Sequence, residues 1–168
     1  ALCVKIVVAG DSDENRREAR YYSMLSRRGI CWDMLTRFHG LVDTSLGQGA
    51  LFDMVRDFDG DVSRRLDYYL DEQLYATDIA RCLQLLKDYL LENCIVTMTL
   101  KPKNILYQRL SGHAGRLVVV DNVGNTDFVP LSNYIAFLGR RKIERKWRRL
   151  ERLLDSKSNQ SRSQSGAL

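Results

Sequence analysis

The sequence has no apolar run that approaches the ~20 residues of a helical membrane span, so no spanning helix is expected. It has little histidine: His39 and His113 stand apart from any cysteines or acids at ligand spacing, which argues against a zinc centre. Its four cysteines, Cys3, Cys31, Cys82 and Cys94, are widely separated and form no CxxC pair. The opening ALCVKIVVAGD has no basic leader and alternates toward a strand, so it does not read as a signal peptide. Together these features point to free thiols in a reducing, cytoplasmic setting. No internal repeat is visible.

What is present is an ordinary globular composition over 168 residues, 45% hydrophobic and 28% charged. A chain of this length makes one domain and buries roughly two-thirds of its unfolded surface. The net charge of +5 is unevenly placed. From Arg140 onward ten Lys/Arg face three Asp/Glu, a balance of +7, whereas residues 1–139 hold sixteen basic and eighteen acidic residues, a balance of −2. The basicity lives in one C-terminal element, with no specific nucleic-acid motif beside it.

Residues 2–8 (LCVKIVV) read as a buried strand that carries one lysine. GDSDEN supplies helix-start chemistry at Ser12 or Asp13, and a helix follows to about Arg28 with Glu18, Tyr22 and Leu25 on one face. Gly29 stops it. RFHGLVDTSL and QGALFDMVRDF read as two strands around a turn at Gly47–Gly49, and DGDVSRRLDYYL leads into a short helix. A longer helix is expected from a cap at Thr77 to about Asn93, with Ile79, Leu83, Leu86 and Leu90 buried. ILYQR, SGHAG and RLVVVD form a hairpin with Asn104 at its entry and Asp121 at its exit. LSNYIAFLGRRKIERKWRRLERLLDS reads as a helix with Ile143, Trp147, Leu150 and Leu154 along one stripe. The Ser/Gln-rich tail, 156–168, is expected to be disordered.

The chemistry follows from the order of a few polar residues. A nucleotide triphosphate with Mg²⁺ needs a cation on the phosphates, a carboxylate and an amide oxygen on the metal, and a group to orient the nucleophile. The chain offers Lys5 in an apolar strand, Glu18 on the next helix, Lys101 and Asn104 in a loop, and Asp121 at a strand end. A buried lysine costs several kcal/mol if left alone, so Lys5 needs a partner, and Glu18 is the best placed. Each residue has a plainer reading: a snorkelling edge lysine, a solvated glutamate, an Asx turn at Asp121-Asn122, an Asn104 that satisfies its own loop. The set taken in order raises the phosphate reading above these.

VKIV resembles the V-A-I-K strand of protein kinases, LKPKNIL resembles their H-R-D-L-K-P-x-N-I-L catalytic loop, and VVVDNVG sits where D-F-G would. The string CVKIVV, RREARYYSML, FDGD, DIARCLQLLKDYLLENCIVTMTLKPKNIL, VVDNVG and PLSNY resembles more closely the YrbL family of PhoP regulatory network proteins, over most of residues 2–150. The resemblance implies an α+β, kinase-like, two-lobed fold. A truncated sheet-plus-helix lobe would span about 1–56, and a reduced helical lobe about 61–155. It implies ATP and Mg²⁺ as cofactors, with Lys5 and Glu18 positioning phosphates and Asn104 and Asp121 as metal ligands. Lys101 would approach the terminal phosphate, and Val55 and Asp57 would lie in a hinge that meets adenine.

Departures set the expected activity. Thr99 stands where the catalytic aspartate would be, and a threonine hydroxyl is no base at neutral pH, a loss of about 10²–10⁴ in rate. Kinases place two strands and a glycine-rich loop before the lysine strand, where this chain begins. It reads either as a fragment or as a protein without that phosphate lid. The leading function is a bacterial regulatory protein that binds ATP and Mg²⁺ with atypical or lost phosphotransfer. The alternatives are a pseudokinase-type interaction module without nucleotide and a small-molecule kinase. The helix at 140–152, with eight basic and two acidic residues, either docks with a solvated cationic face or meets an anionic surface or protein.

Overall fold

The computed structural model describes residues 1–6, 12–74, 76–124 and 135–165, and side chains outside 12–15, 76 and 157–165. The architecture is α+β: two small antiparallel sheets and, among the described residues, four α-helices.

The first sheet has the order β1 (Leu2–Ile6), β3 (Gly47–Asp53), β2 (Phe38–Thr44), with β3 in the centre. Val4 pairs with Leu51 and Lys5 with Ala50, so period-2 alternation sends Cys3 and Lys5 to the same face as Ala50 and Phe52. Helix α1 (Ser12–Arg27) covers that face. Its Tyr22 is the anchor, with rings of Trp32, Phe38 and Phe52 at centroid distances of 6.1, 5.8 and 5.3 Å. Gly29 ends the helix region with a φ of +65°, as its position suggested. The expected residues 7 and 8 of β1 and the cap side chains of Ser12 and Asp13 lie outside the described residues.

The Gly-Gln-Gly stretch is not the turn. The turn is Ser45–Leu46, and Gly47, Gln48 and Gly49 all belong to β3, which ends at Asp53 rather than at Phe58. Gly49 is required for close approach instead: a Cβ there would lie 2.4 Å from Val4 Cγ1 on the neighbouring strand.

The second sheet joins the short β4 (Arg64–Arg65) to β5 (Ile105–Arg109) and β6 (Gly115–Val119). The predicted hairpin has Ile105 opposite Val119 and Arg109 opposite Gly115. Helices α2 (Leu66–Asp71) and α3 (Ala76–Glu92) precede it. Helix α3 starts ahead of the expected cap Thr77, and Cys82, fully buried, takes a larger part in its stripe than the half-buried Leu83. Asp78 locks α3 to the hairpin turn: its Oδ2 accepts from the Tyr107 hydroxyl at 2.6 Å and the Gly115 amide at 2.9 Å. Burial works against the charge of Asp78, but Tyr107, Arg81 and Gly115 outweigh it and hold the carboxyl below its ordinary pKa.

Helix α4 (Ala136–Ser165) closes the body, with Ile143, Trp147 and Leu150 buried as the stripe required. The tail expected to be disordered is helical as far as Ser165. Between Asp155 and Ser165 the chain has neither proline nor glycine, and extending an existing helix costs little compared with starting one. No helix among the described residues is long and apolar enough to cross a membrane.

Candidate functional site

The centre of the candidate site is Lys5. Strand alternation turns it toward α1, where its Nζ meets Glu18 Oε2 at 2.8 Å and Asp121 Oδ1 at 2.5 Å. Glu18 is 2% exposed, and its other oxygen accepts from the Val123 amide at 3.3 Å. Asp121 is more open and also accepts from Asn122 Nδ2 at 2.9 Å. Three residues separated by up to 116 positions therefore form one ion-pair cluster. Burial works against the Lys5 ammonium, yet Glu18 and Asp121 outweigh it and hold its pKa above the ordinary lysine value. Burial pushes the Glu18 carboxyl up, and Lys5 opposes that push without cancelling it.

Asn104 sits at the cluster's edge. Its carbonyl accepts from the Val120 amide at 3.0 Å, which puts it across the hairpin from the residue before Asp121. Its buried side chain donates from Nδ2 to the Thr99 carbonyl at 3.3 Å, and its amide donates to the Lys101 carbonyl at 2.9 Å. Asn104 thus fixes the shape of the loop, as its plainer reading suggested, with its carbonyl bonded to the residue before Asp121. The loop is also laced to the Asp121 segment. The Met98 amide donates to Asn122 O at 2.7 Å, the Gly124 amide to Val96 O at 3.0 Å, and Thr97 bridges Val123.

The remaining predicted residues lie elsewhere. Thr99 and Lys101 line a groove of about 380 Å³ against α4, with Leu100, Lys146, Arg149, Arg152 and Leu153. Val55 and Asp57 belong to a turn that uses several of its polar groups within the protein. The Val55 carbonyl accepts from the Ser63 amide at 3.1 Å, and the Asp57 amide donates to Asp61 O at 2.8 Å. The Asp57 carboxylate takes Arg109 Nε at 2.6 Å and the Ser63 hydroxyl at 2.5 Å. Arg109 is at the far end of β5 from Asn104, about 16 Å away at strand rise.

Three contributors escaped the sequence. The Tyr21 hydroxyl accepts from the Val96 amide at 2.7 Å and docks α1 on the loop. The Val123 amide steadies Glu18, and Lys146 donates to the Met98 carbonyl, tying α4 to the loop. Only Tyr21 left a trace, at three residues beyond Glu18 on the same helical face.

Among the described residues no three His, Cys, Asp or Glu converge on a metal position. Asp121 and Asn104 together offer one carboxylate and one amide, hard oxygen donors that suit Mg²⁺ when phosphate oxygens and water complete its shell. The residues fit such an ion only in company with phosphate.

Comparison with known proteins agrees with the motifs. The family model described as PhoP regulatory network protein YrbL matches residues 1–155. An uncharacterized protein YrbL of Escherichia coli strain K12 is 42% identical over 153 residues, covering 88% of this chain and 73% of the relative. The Shigella flexneri protein of the same description matches to the same extent. The chain belongs to the YrbL family of PhoP regulatory network proteins.

Proposed function

We propose that this chain is a kinase-like regulatory protein of bacteria that binds a nucleotide triphosphate with Mg²⁺ and transfers its phosphate slowly or not at all. The observation that carries the reading is the Lys5 cluster: one cation held between Glu18 at 2.8 Å and Asp121 at 2.5 Å, on a strand end that the Asn104 carbonyl bonds through Val120. Glu18, clamped by the Val123 amide, orients the Lys5 ammonium so that it can turn to phosphate oxygens. Asp121 and Asn104 would hold the metal, which neutralises phosphate charge when bound. Lys101 would stand at the terminal phosphate. Thr99 orients a nucleophile at best, since its hydroxyl takes no proton at neutral pH. A two-lobed division near residues 57–60, and a role in the PhoP network, complete the reading and rest on the family.

The test is thermal unfolding with ATP, with and without Mg²⁺. At a hundredfold excess over Kd the expected stabilisation is about 2.7 kcal/mol, several degrees in Tm for a domain of this size. It should require Mg²⁺ and disappear in Asp121→Ala. An upshift that is absent, or that survives in Asp121→Ala, overturns the proposal. That outcome would favour a second reading, an interaction module without nucleotide, for which the short Lys5–Asp121 contact speaks because it fills the site from within.

A further inference from the structure

The groove on the other side of the loop has a different chemistry. Its walls are the loop residues Thr99, Leu100 and Lys101 and the α4 residues Lys146, Arg149, Arg152 and Leu153. Positions 146, 149 and 152 advance by three along α4 and put three cations over one side of the helix. No carboxylate among the described residues lines this groove. Among the described residues Lys101, Arg149 and Arg152 form no ion pair.

The walls are fixed. Lys146 donates to the Met98 carbonyl and ties helix to loop. Trp147 is 3% exposed, with the Lys87 ammonium 5.8 Å from its ring centroid, and Glu151 meets Lys87 at 3.7 Å on the side toward α3. The helix is thus seated by its apolar stripe, and its acid near the groove is turned to another partner.

We infer that this groove is a binding subsite for a small organic phosphate. Lys101, Arg149 and Arg152 around about 380 Å³ repel one another, and a monoanion leaves much of that repulsion standing. A phosphate monoester brings a charge of about −1.5 to −2 at neutral pH and oxygens that match a guanidinium fork. Leu100 and Leu153 offer an apolar rest for the organic part, and the volume suits a metabolite rather than a polymer. Lys101, Arg149 and Arg152 are exposed, but they converge on one groove of small-molecule volume, which a flat membrane surface or a nucleic-acid strand does not fill. Binding here is independent of the nucleotide proposal. Only the further step of naming the ligand a phosphoryl acceptor, beside Lys101 and Thr99, rests on that reading.

Isothermal titration with inorganic pyrophosphate as the probe tests the subsite, with phosphatidylglycerol vesicles as a second arm. Wild-type chain should bind pyrophosphate saturably, and R149Q/R152Q should bind at least tenfold more weakly. R141Q/R145Q, which removes two exposed α4 cations outside the groove, should bind within twofold of wild type. Should R149Q/R152Q lose helix content, R149K/R152K keeps the charge, removes the planar forks, and should weaken binding severalfold. Wild-type affinity in these Arg149/Arg152 variants overturns the inference, as does tighter binding to the vesicles than to pyrophosphate. A loss in R141Q/R145Q equal to that in R149Q/R152Q also overturns it, since the anion then answers to the overall charge of α4 and not to this groove.

Discussion

Two sets of cations border the loop at 97–104, and they are held in opposite ways. Lys5 is largely buried and lies between two carboxylates, one of them itself buried. Lys101, Arg149 and Arg152 border an open groove with no carboxylate among the described residues of its lining. A partly desolvated charge must be matched inside the protein, so Lys5 is part of what holds the fold together. Charges in water need no such match, so the groove cations are free of that duty and available to a ligand. The same contrast separates the residues by cost: changing the first set endangers stability, changing the second endangers binding alone.

The comparison can be broken most severely through Trp147. Trp147→Ala should destabilise the chain by about 3–5 kcal/mol in urea unfolding, because a buried indole leaves a cavity, and it should loosen the α4 wall of the groove. Next is Lys5→Met, which strands the Glu18 carboxylate. Removing one partner of a buried pair costs about 3–5 kcal/mol, and the partial exposure of Lys5 reduces this to about 1–3 kcal/mol at pH 7. The loss should shrink as pH falls, since Glu18 then takes up a proton and its charge disappears. In the parent chain the raised Lys5 pKa gives a contribution complete below 10.5 and lost as pH rises through the folded value. Lys5→Met should lack that component of alkaline loss, which a pH series of unfolding curves will show. The smallest effect sharpens the contrast: R149Q/R152Q should change stability by no more than about 0.5 kcal/mol.

The Lys5 cluster was legible because physical necessity marks it in the sequence. A lysine in an apolar strand demands an acid, and the next helix carries Glu18 on its buried face. The helix stripes and the hairpin at 105–119 were legible for the same reason, since their periodicity is local. The errors share a cause too. Gly47–Gly49 looked like a turn because glycine marks turns, but Gly49 answers to Val4 on another strand. The pairing of Asp57 with Arg109, remote in sequence, was likewise invisible in the Asp57 segment itself. The groove went unread because it is made by α4 meeting the loop through Lys146 and Met98, a contact that leaves no spacing or period behind.

The lacing of residues 96–98 to 122–124 has a mechanical consequence. The backbone that carries Asp121 cannot shift away from Lys5 on its own: it must carry the loop with it or break two backbone hydrogen bonds, about 1 kcal/mol each. Loop and carboxylate are geared together, so a force felt at Met98, where α4 grips the loop, is delivered to the acid that faces Lys5.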